Sequence, residues 1–374
     1  MHSEKEQGRM DAAMLSNMRQ EGLDGGILFA WQDEWFKYTW DTVELELPEQ
    51  RRDRWRNRLT NEENFGVIST EAGKSAKKTI QVDGKRSDWA ERPGDGVKGF
   101  FARLSNRALG NVPGVTKSEY EDFDLSLTHD EAYLYMRLDK HSGEWNFPKD
   151  EVNVGFGTLL NGAPNADPAP GLSFPDGGTQ FLMQIKDKDD ARIEVNSAYD
   201  QHTWLYADQL NLMPDPEASK VAAAGDFLPW RLALNRGLYL PQTKKDAPFE
   251  DIDVGVLRRG NSDPESSEFY SLSDWYVKGD VIELRIPWML LGFTDPSSKK
   301  VWDYPYEAGK FEPAETAGVR VYPDVRAAGD SDEKEIQPLE YTWSGWDEPT
   351  SHERKKKGYS ILREAFANKQ LEKP

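Results

Sequence analysis

Short segments in which hydrophobic and polar residues alternate dominate the chain from about residue 79 onward. Two pairs of segments predict β-hairpins, residues 123–128 with 132–138 and residues 180–185 with 192–198. Further strands are predicted at residues 267–272, 275–277, 281–287 and 339–343. Alternation with period two, interrupted by Gly, Pro, Asn and Asp, is typical of an antiparallel sandwich. The expected fold is therefore mainly β, an antiparallel β-sandwich with a helix and strand before it and a helix after it.

The beginning of the chain has a different pattern. Methionines and a leucine recur at helical spacing within residues 6–21, and glycines end this pattern. Residues 26–31 follow as an unbroken apolar run, which predicts a buried parallel strand. A buried strand needs neighbours on both sides, and this chain supplies few of them.

The change of pattern predicts three parts. Residues 1–70 form a helix, strand and loop, residues 71–346 form the β-sandwich, and residues 347–374 form a helical tail. The tail prediction depends on an amphipathic face within residues 351–368. Residues 159–178 are interpreted as a surface loop, and residues 199–263 as excursions from the sandwich, because their periodicity is weak.

Composition narrows the class of ligand. The 374 residues include 13 Trp, 14 Tyr and 16 Phe, as expected for a folded protein with a large aromatic core. The net charge of -19 argues against binding of nucleic acid or anionic membrane through a general basic field, so a neutral ligand fits better. Without cysteine, disulfides and thiolate chemistry are excluded.

Localisation stays open. The chain as given has no signal peptide pattern and no apolar run of about 18 residues for a membrane span, so no membrane insertion is expected. It is expected in the cytoplasm as given, and outside the cell or on its surface if it belongs to a longer exported protein.

Three motifs follow one another in the β region. They are Ile80-Gln81-Val82-Asp83-Gly84 with Ser87-Asp88-Trp89, Ser126-Leu127-Thr128-His129-Asp130-Glu131-Ala132-Tyr133-Leu134-Tyr135, and Gly279-Asp280-Val281-Ile282-Glu283-Leu284-Arg285-Ile286-Pro287-Trp288. In this order they resemble the carbohydrate-binding module family 9-like group, relatives of the DOMON sandwiches. The resemblance implies a sandwich that holds sugars between aromatic side chains on loops and that in some members carries structural calcium.

A second resemblance involves the apolar run. The segment Gly25-Gly26-Ile27-Leu28-Phe29-Ala30-Trp31-Gln32-Asp33-Glu34-Trp35 resembles the eighth strand and following loop of a (β/α)₈ glycoside-hydrolase-like barrel. In such barrels the acid/base and the nucleophile follow earlier strands, so the resemblance assigns no catalytic residue to this chain. Together with the sandwich and a Tyr341-Thr342-Trp343-Ser344-Gly345-Trp346 tail, the segment is similar to bacterial proteins linked to polysaccharide metabolism.

Five residues are candidates for sugar binding: Trp31, Glu34, Trp145, Trp204 and Trp230. Trp31 stands where barrel glycosidases often place a sugar platform, and Glu34 or its neighbour Asp33 would bind a sugar hydroxyl. The alternatives are that the tryptophans are core residues and that both acids are solvated loop residues. Trp89 and Trp288 lie inside the family 9-like motifs and are expected in the core.

Metal ligands are scarce in the sequence. The five histidines show no two-histidine helical spacing, and no nucleotide-binding or serine-esterase motif occurs. Asp187, Asp189 and Asp190 are weak candidates for a structural calcium site, because clustered carboxylates suit calcium. The alternative is a polar hairpin turn. No other cofactor is expected.

Residues 51–58 form a basic island in an acidic chain. They would either bind an anionic polymer or form ion pairs with acidic residues of the same chain. The favoured interpretation is that these ion pairs hold the first segment against the sandwich.

The leading functional hypothesis is a non-catalytic carbohydrate-binding or accessory module associated with polysaccharide metabolism, a C-terminal part of a larger barrel enzyme. Its expected partners are a polysaccharide or oligosaccharide and a barrel enzyme domain or chain. One alternative is the C-terminal portion of a glycoside hydrolase whose catalytic strands lie upstream or on a partner, and another is a structural interaction protein. The chain alone is not expected to be an enzyme, although the sequence leaves this open.

Overall fold

The computed structural model describes residues 2–90, 113–147, 149–159, 171–174, 179–214, 225–334 and 336–367. These residues are mainly β, with a helix near each end, as the alternating pattern predicts. None of the described helices is long and apolar enough to cross a membrane.

The secondary structure has the following bounds. The strands are β1 (Ile68–Ala72), β2 (Thr116–Glu119), β3 (Phe123–His129), β4 (Tyr133–Lys140), β5 (Asp150–Gly157), β6 (Phe181–Asp187), β7 (Asp190–Asn196), β8 (Phe227–Pro229), β9 (Arg231–Asn235), β10 (Leu238–Leu240), β11 (Lys245–Ala247), β12 (Glu250–Asp253), β13 (Trp275–Lys278), β14 (Val281–Pro287), β15 (Phe293–Asp295), β16 (Lys300–Trp302), β17 (Pro313–Glu315), β18 (Val319–Ala327), β19 (Leu339–Tyr341) and β20 (Ser351–Lys355). The α-helices are α1 (Glu4–Gln20), α2 (Ser87–Ala90), α3 (Gln201–Trp204), α4 (Pro305–Ala308) and α5 (Tyr359–Ala367). Short 3₁₀ helices occur at Val43–Leu45, Glu49–Arg54, Asn61–Asn64, Ala76–Lys78, Ser197–Tyr199, Trp288–Leu291 and Pro296–Ser298, and a π-helical turn occurs at Leu205–Gln209.

Two antiparallel sheets form the main body. One has the strand order β13-β14-β4-β3-β2, and the other has the order β19-β18-β5-β6-β7-β8. Alternate residues of both sheets, such as Leu134 and Leu284 in the first and Val154 and Met183 in the second, belong to one buried hydrophobic cluster. We call these two layers and their shared core the two-sheet body.

Both predicted hairpins are confirmed. β3 pairs with β4 and β6 pairs with β7, each antiparallel. The strands predicted at residues 275–277, 281–287 and 339–343 correspond to β13, β14 and β19. In the weakly periodic stretch, β9 with β12 and β10 with β11 form two small separate sheets, in agreement with excursions from the main body. The predicted surface loop at residues 159–178 lies largely outside the described residues.

The strand predicted at residues 267–272 is wrong. This region forms turns, with one isolated bridge between Asn261 and Phe269. The Asp263 carboxylate accepts the Glu265 backbone N–H, and the Ser266 hydroxyl accepts the Glu268 N–H. Such local side-chain to backbone bonds compete with a strand ladder, and the alternating pattern does not reveal them.

The helix near the start is confirmed, whereas the apolar strand after it is wrong. A capping box of Ser3 and Glu6 begins α1. Residues 26–31 contain no strand, and only Gln32 makes an isolated parallel bridge, with Ile68 of β1. Since β1 borders this segment on one side only, no ladder forms, and Ile27 is 99% exposed.

The last part of the chain packs against the first. β20 pairs antiparallel with β1, and α5 packs on α1 at a close approach between Gly8 and Gly358, where an added Cβ on Gly8 would lie 2.5 Å from Gly358 Cα. The predicted C-terminal helix is therefore confirmed only in its second half, because residues 351–355 find a strand partner. We call residues 2–72 and 347–367 together the terminal unit.

Candidate functional site

A cavity of about 660 Å³ lies between the terminal unit and the two-sheet body. Such a volume is within the range of roughly 300 to 1,000 Å³ typical of small-molecule sites. The terminal unit contributes α1, β1, β20 and Lys356 to the lining, and the rest of the chain contributes the β3–β4 turn, β14 and the loop before β13. The cavity therefore depends on chain segments that lie far apart in sequence.

Asp33 is at the centre of the charged wall. Its Oδ1 accepts hydrogen bonds from Lys356 Nζ at 2.7 Å and from the Gly66 backbone N–H at 3.0 Å, and its Oδ2 lies 3.1 Å from Arg56 Nη2. Burial lowers the pKa of the Lys356 ammonium, and the Asp33 carboxylate opposes this effect. Asp33 is buried, so it is not the solvated loop acid of the alternative interpretation.

A second ion cluster joins α1 to β1 and β20. Arg354 Nη2 lies 2.6 Å from carboxylate oxygens of both Glu4 and Glu71. Burial raises the pKa of the Glu71 carboxyl, but the neighbouring His352 and Arg354 outweigh burial and hold that pKa below its ordinary value. Hydrogen bonding to Glu71 raises the pKa of His352 in turn. This cluster fixes the relative positions of the three elements.

The β3–β4 turn supplies a further part of the cavity lining. Asp130 Oδ1 accepts the backbone N–H groups of Ala132 and Tyr133 at 2.8 and 2.9 Å, and Oδ2 accepts the Tyr135 hydroxyl at 2.7 Å. Burial, together with the Asp130 charge, raises the pKa of the Tyr135 phenol well above its ordinary value. These bonds hold the turn rigidly, so the ring of Tyr133 has a fixed place in the cavity wall.

Two phenylalanines that sequence reasoning missed also line the cavity. The rings of Phe29 and Phe65 meet edge to face with centroids 6.2 Å apart, and the two residues are 61% and 40% exposed. Phe29 belongs to the same apolar run as Trp31, so that run carried a signal that could have identified it. Phe65 lies in an aperiodic loop and could be found only from the tertiary structure.

Trp31 and Glu34 lie near the cavity without lining it. Trp31 is 66% exposed and touches Tyr359 edge to face, with ring centroids 6.2 Å apart. Glu34 is half-buried and lies 3.1 Å from Lys37 Nζ. The cavity wall instead includes Asp33, between these two candidates in sequence. Trp31 keeps an open face on the surface of the terminal unit.

Trp145, Trp204 and Trp230 occupy core positions. Trp230 is fully buried and stacks on His202 with ring centroids 4.0 Å apart. Trp204 stacks on Phe311 at 5.6 Å, and Trp145 stacks on Phe147 at 6.5 Å. Because other side chains cover these rings, none of the three presents a free face to a sugar in this conformation. Trp89 and Trp288 are buried, which confirms the core positions expected for them.

The predicted calcium candidates lie in the β6–β7 turn. Asp187 Oδ1 accepts the Asp189 backbone N–H at 3.2 Å, and Asp190 lies 3.7 Å from Arg192. Over the described ranges, no group of three or more His, Asp or Glu side chains is arranged to hold a metal ion. This geometry is that of the alternative, a polar hairpin turn, and calcium binding stays a prediction.

The basic island pairs within the chain. Arg51 lies 2.8 Å from carboxylate oxygens of both Asp295 and Asp347, and it also donates to the Trp346 carbonyl at 2.7 Å. Arg56 pairs with Asp33. The Arg51–Asp295 pair confirms the interpretation that this island joins the first segment to the β region at residues 71–346.

Comparisons with protein-family models, with curated protein sequences and with solved structures give no match for this chain.

Proposed function

We propose that the chain is a non-catalytic carbohydrate-binding or accessory module whose two-sheet body is a family 9-like sandwich and whose sugar site is the cavity beside Asp33. The observation that carries the proposal is a cavity of about 660 Å³ that is lined by both aromatic rings and fixed polar groups. Sugar rings have an apolar C–H face and a rim of hydroxyls, so they match walls of both kinds.

The aromatic wall favours a sugar over a wholly polar ligand. Phe29 and Phe65 present partly exposed rings at right angles to each other, and Met10 and Met14 of α1 extend this apolar surface. Packing of a pyranose on such rings removes apolar area from water without loss of its hydroxyl hydrogen bonds. The arrangement supports recognition of a short stretch of sugar.

The acids of the cavity support binding more than hydrolysis. Glycosidic hydrolysis generally uses one carboxylic acid and one free carboxylate facing each other across the bond. Asp33, Glu71 and Asp130 are instead held by cations or by several hydrogen-bond donors. Burial raises the pKa of both Asp11 and Asp41, which line the same cavity, so these two are the groups to replace first if turnover is found.

The proposal is tested by affinity electrophoresis of the purified chain in gels containing a panel of polysaccharides. At least one glycan is expected to retard the chain, and Phe29→Ala and Phe65→Ala should each reduce the retardation. Phe36→Ala is the matched control, because Phe36 is 54% exposed on the same segment and does not line the cavity. An equal loss of retardation in all three variants would contradict the proposal, and so would the absence of retardation by every glycan.

A second candidate function follows from the exposed side of the terminal unit. Leu23, Ile27, Trp31, Phe36 and Tyr38 are all exposed, which is unusual for one short segment. This supports the alternative that the chain is the C-terminal portion of a glycoside hydrolase and that a barrel domain or chain covers this side. The DNA upstream of the Met1 codon tests it. An in-frame continuation that encodes barrel repeats would support it, and unrelated sequence would contradict it.

A further inference from the structure

We propose that the ligand of the cavity is an acidic saccharide, and that Arg58, Arg285 and Tyr133 receive its anionic group. The inference rests on the proposed function and adds the class of sugar. The anionic group is a carboxylate, as in a uronic acid, or a sulfate ester, since both offer several oxygens to a guanidinium.

Among the described residues, most of the cations around the cavity are paired with carboxylates, but two are not. Arg56 and Lys356 share Asp33, and Arg354 is bound by Glu4 and Glu71. By contrast, neither Arg58 nor Arg285 has a carboxylate oxygen within 4.0 Å in the described part of the chain. These two half-buried guanidinium groups therefore lack the direct counter-charge that the other cations lining the cavity have.

Both of these guanidinium groups lie close to one tyrosine ring. The guanidinium carbons of Arg285 and Arg58 lie 5.1 and 5.9 Å from the centre of the Tyr133 ring. Arg58 Nη1 donates to Asn64 Oδ1 at 2.8 Å, and Arg285 donates to the backbone carbonyls of Ser273 and Ser271. Neutral acceptors thus orient both guanidinium groups. The remaining N–H groups of these two guanidinium groups have no acceptor among the described residues.

The phenol of Tyr133 completes the set. Its hydroxyl makes no hydrogen bond within the described ranges, whereas the neighbouring Tyr135 hydroxyl is bound to Asp130. Two guanidinium groups and one hydroxyl around the Tyr133 ring suit a negatively charged cluster of ligand oxygens. Asp274, in a small adjoining cavity, accepts the Arg258 backbone N–H and is more than 4.0 Å from both guanidinium groups.

Local and global charge favour different ligands. The net charge of -19 repels an anionic polymer at long range, which is why a neutral ligand fits the composition better. Screening reduces this repulsion beyond about 8 Å at physiological salt. Contacts at 3 Å are affected much less, so recognition of an anionic sugar would depend almost wholly on this pair of arginines.

The experiment measures binding of the whole chain to matched pairs of polymers. Polygalacturonate is compared with its carboxyl-reduced form, and dextran sulfate with dextran. At least one acidic polymer is expected to bind more tightly than its neutral partner. Arg58→Gln should weaken that binding by about tenfold or more, since a hydrogen bond between charged groups is lost. Binding of the neutral partner should change less than about threefold.

Control variants separate recognition from folding. Arg259→Gln is the matched control, because the Arg259 guanidinium lies 5.9 Å from the Tyr276 ring and does not line the cavity. Arg58→Lys keeps the positive charge but loses the planar guanidinium group. Its affinity for the acidic polymer should lie between the affinities of the wild type and of Arg58→Gln. Each variant is compared by its thermal midpoint, and Tyr133→Phe supplies a further variant that removes only the hydroxyl.

The outcomes distinguish the two proposals. The polymer pair that shows a preference identifies the group as a carboxylate or a sulfate, and either result supports the inference. Binding of neutral glycans with no preference for an acidic form would overturn the inference and leave the proposed function standing. If Arg259→Gln weakens acidic-polymer binding as much as Arg58→Gln does, the inference also fails. Absence of binding to every polymer would overturn both.

Discussion

The interior of the two-sheet body and the interior of the terminal unit are stabilised in different ways. The two-sheet body is filled by aliphatic and aromatic side chains, including Leu284 and Trp230, that are almost fully buried. The terminal unit is held together by buried ions, with Asp33 between Arg56 and Lys356. Apolar side chains can pack in many orientations, whereas an ion cluster requires defined partners. The terminal unit can therefore present fixed polar groups to the cavity, which an apolar interior would not supply.

The largest expected effect on stability comes from truncation of a side chain inside the two-sheet body. Trp230→Ala should lower the free energy of unfolding by about 5 kcal/mol, the upper end for truncation of a buried Trp. The ring is fully buried, stacks on His202 and donates to the Leu290 carbonyl at 3.2 Å. Chemical denaturation with urea measures the change. A loss of sugar binding at unchanged stability would instead show that Trp230 is a sugar platform.

The ion cluster of the terminal unit should respond almost as strongly to loss of one carboxylate. Asp33→Ala is expected to lower the free energy of unfolding by about 4 kcal/mol, because the buried Arg56 and Lys356 lose their shared counter-charge. Asp347→Ala is the control, since Asp347 pairs with Arg51 but is exposed, and its removal should change stability by less than about 1 kcal/mol. Similar values for both variants would mean that burial does not make the Asp33 ion pairs more important to stability than an exposed ion pair.

Acid should destabilise the fold through protonation of the buried His202. Burial lowers the pKa of His202 to about 4, below its ordinary value of 6.5. The unfolded chain therefore binds a proton more readily, and stability present above pH 6.5 should fall by about 3 kcal/mol as the pH drops to 4. His202→Asn should remove this part of the pH dependence in denaturation curves. If the free energy of unfolding of this variant changes with pH as steeply as that of the wild type, His202 is not the group responsible.

The smallest expected effect concerns the exposed side of the terminal unit. Trp31→Ala should change the free energy of unfolding by less than about 0.5 kcal/mol, because the ring is largely exposed and meets only the edge of Tyr359. Thermal unfolding is the measurement. A loss above about 2 kcal/mol would show that Trp31 is part of the packed interior of the terminal unit and not of a free surface.

The sequence predicted local pairs best. In the β3–β4 and β6–β7 hairpins, the turn and both alternating strands lie within one short window, so pattern and partner are read together. Candidate site residues fared differently. An aromatic residue that suits sugar stacking also suits a core, and sequence cannot tell which face of Trp145, Trp204 or Trp230 is covered.

By itself the sequence determined the mainly β class, the α1 helix, the β14 strand and the intramolecular pairing of the basic island, because period and charge are local properties. Tertiary structure alone decided that β20 pairs with β1, and that Lys356 reaches Asp33 across 323 positions of sequence. The physical reason is that a residue's own pattern specifies which face it buries, while the identity of its neighbour depends on how distant segments pack. The cavity is lined by residues from such distant segments, and so only the folded chain shows that Arg58 and Arg285 lie together beside it.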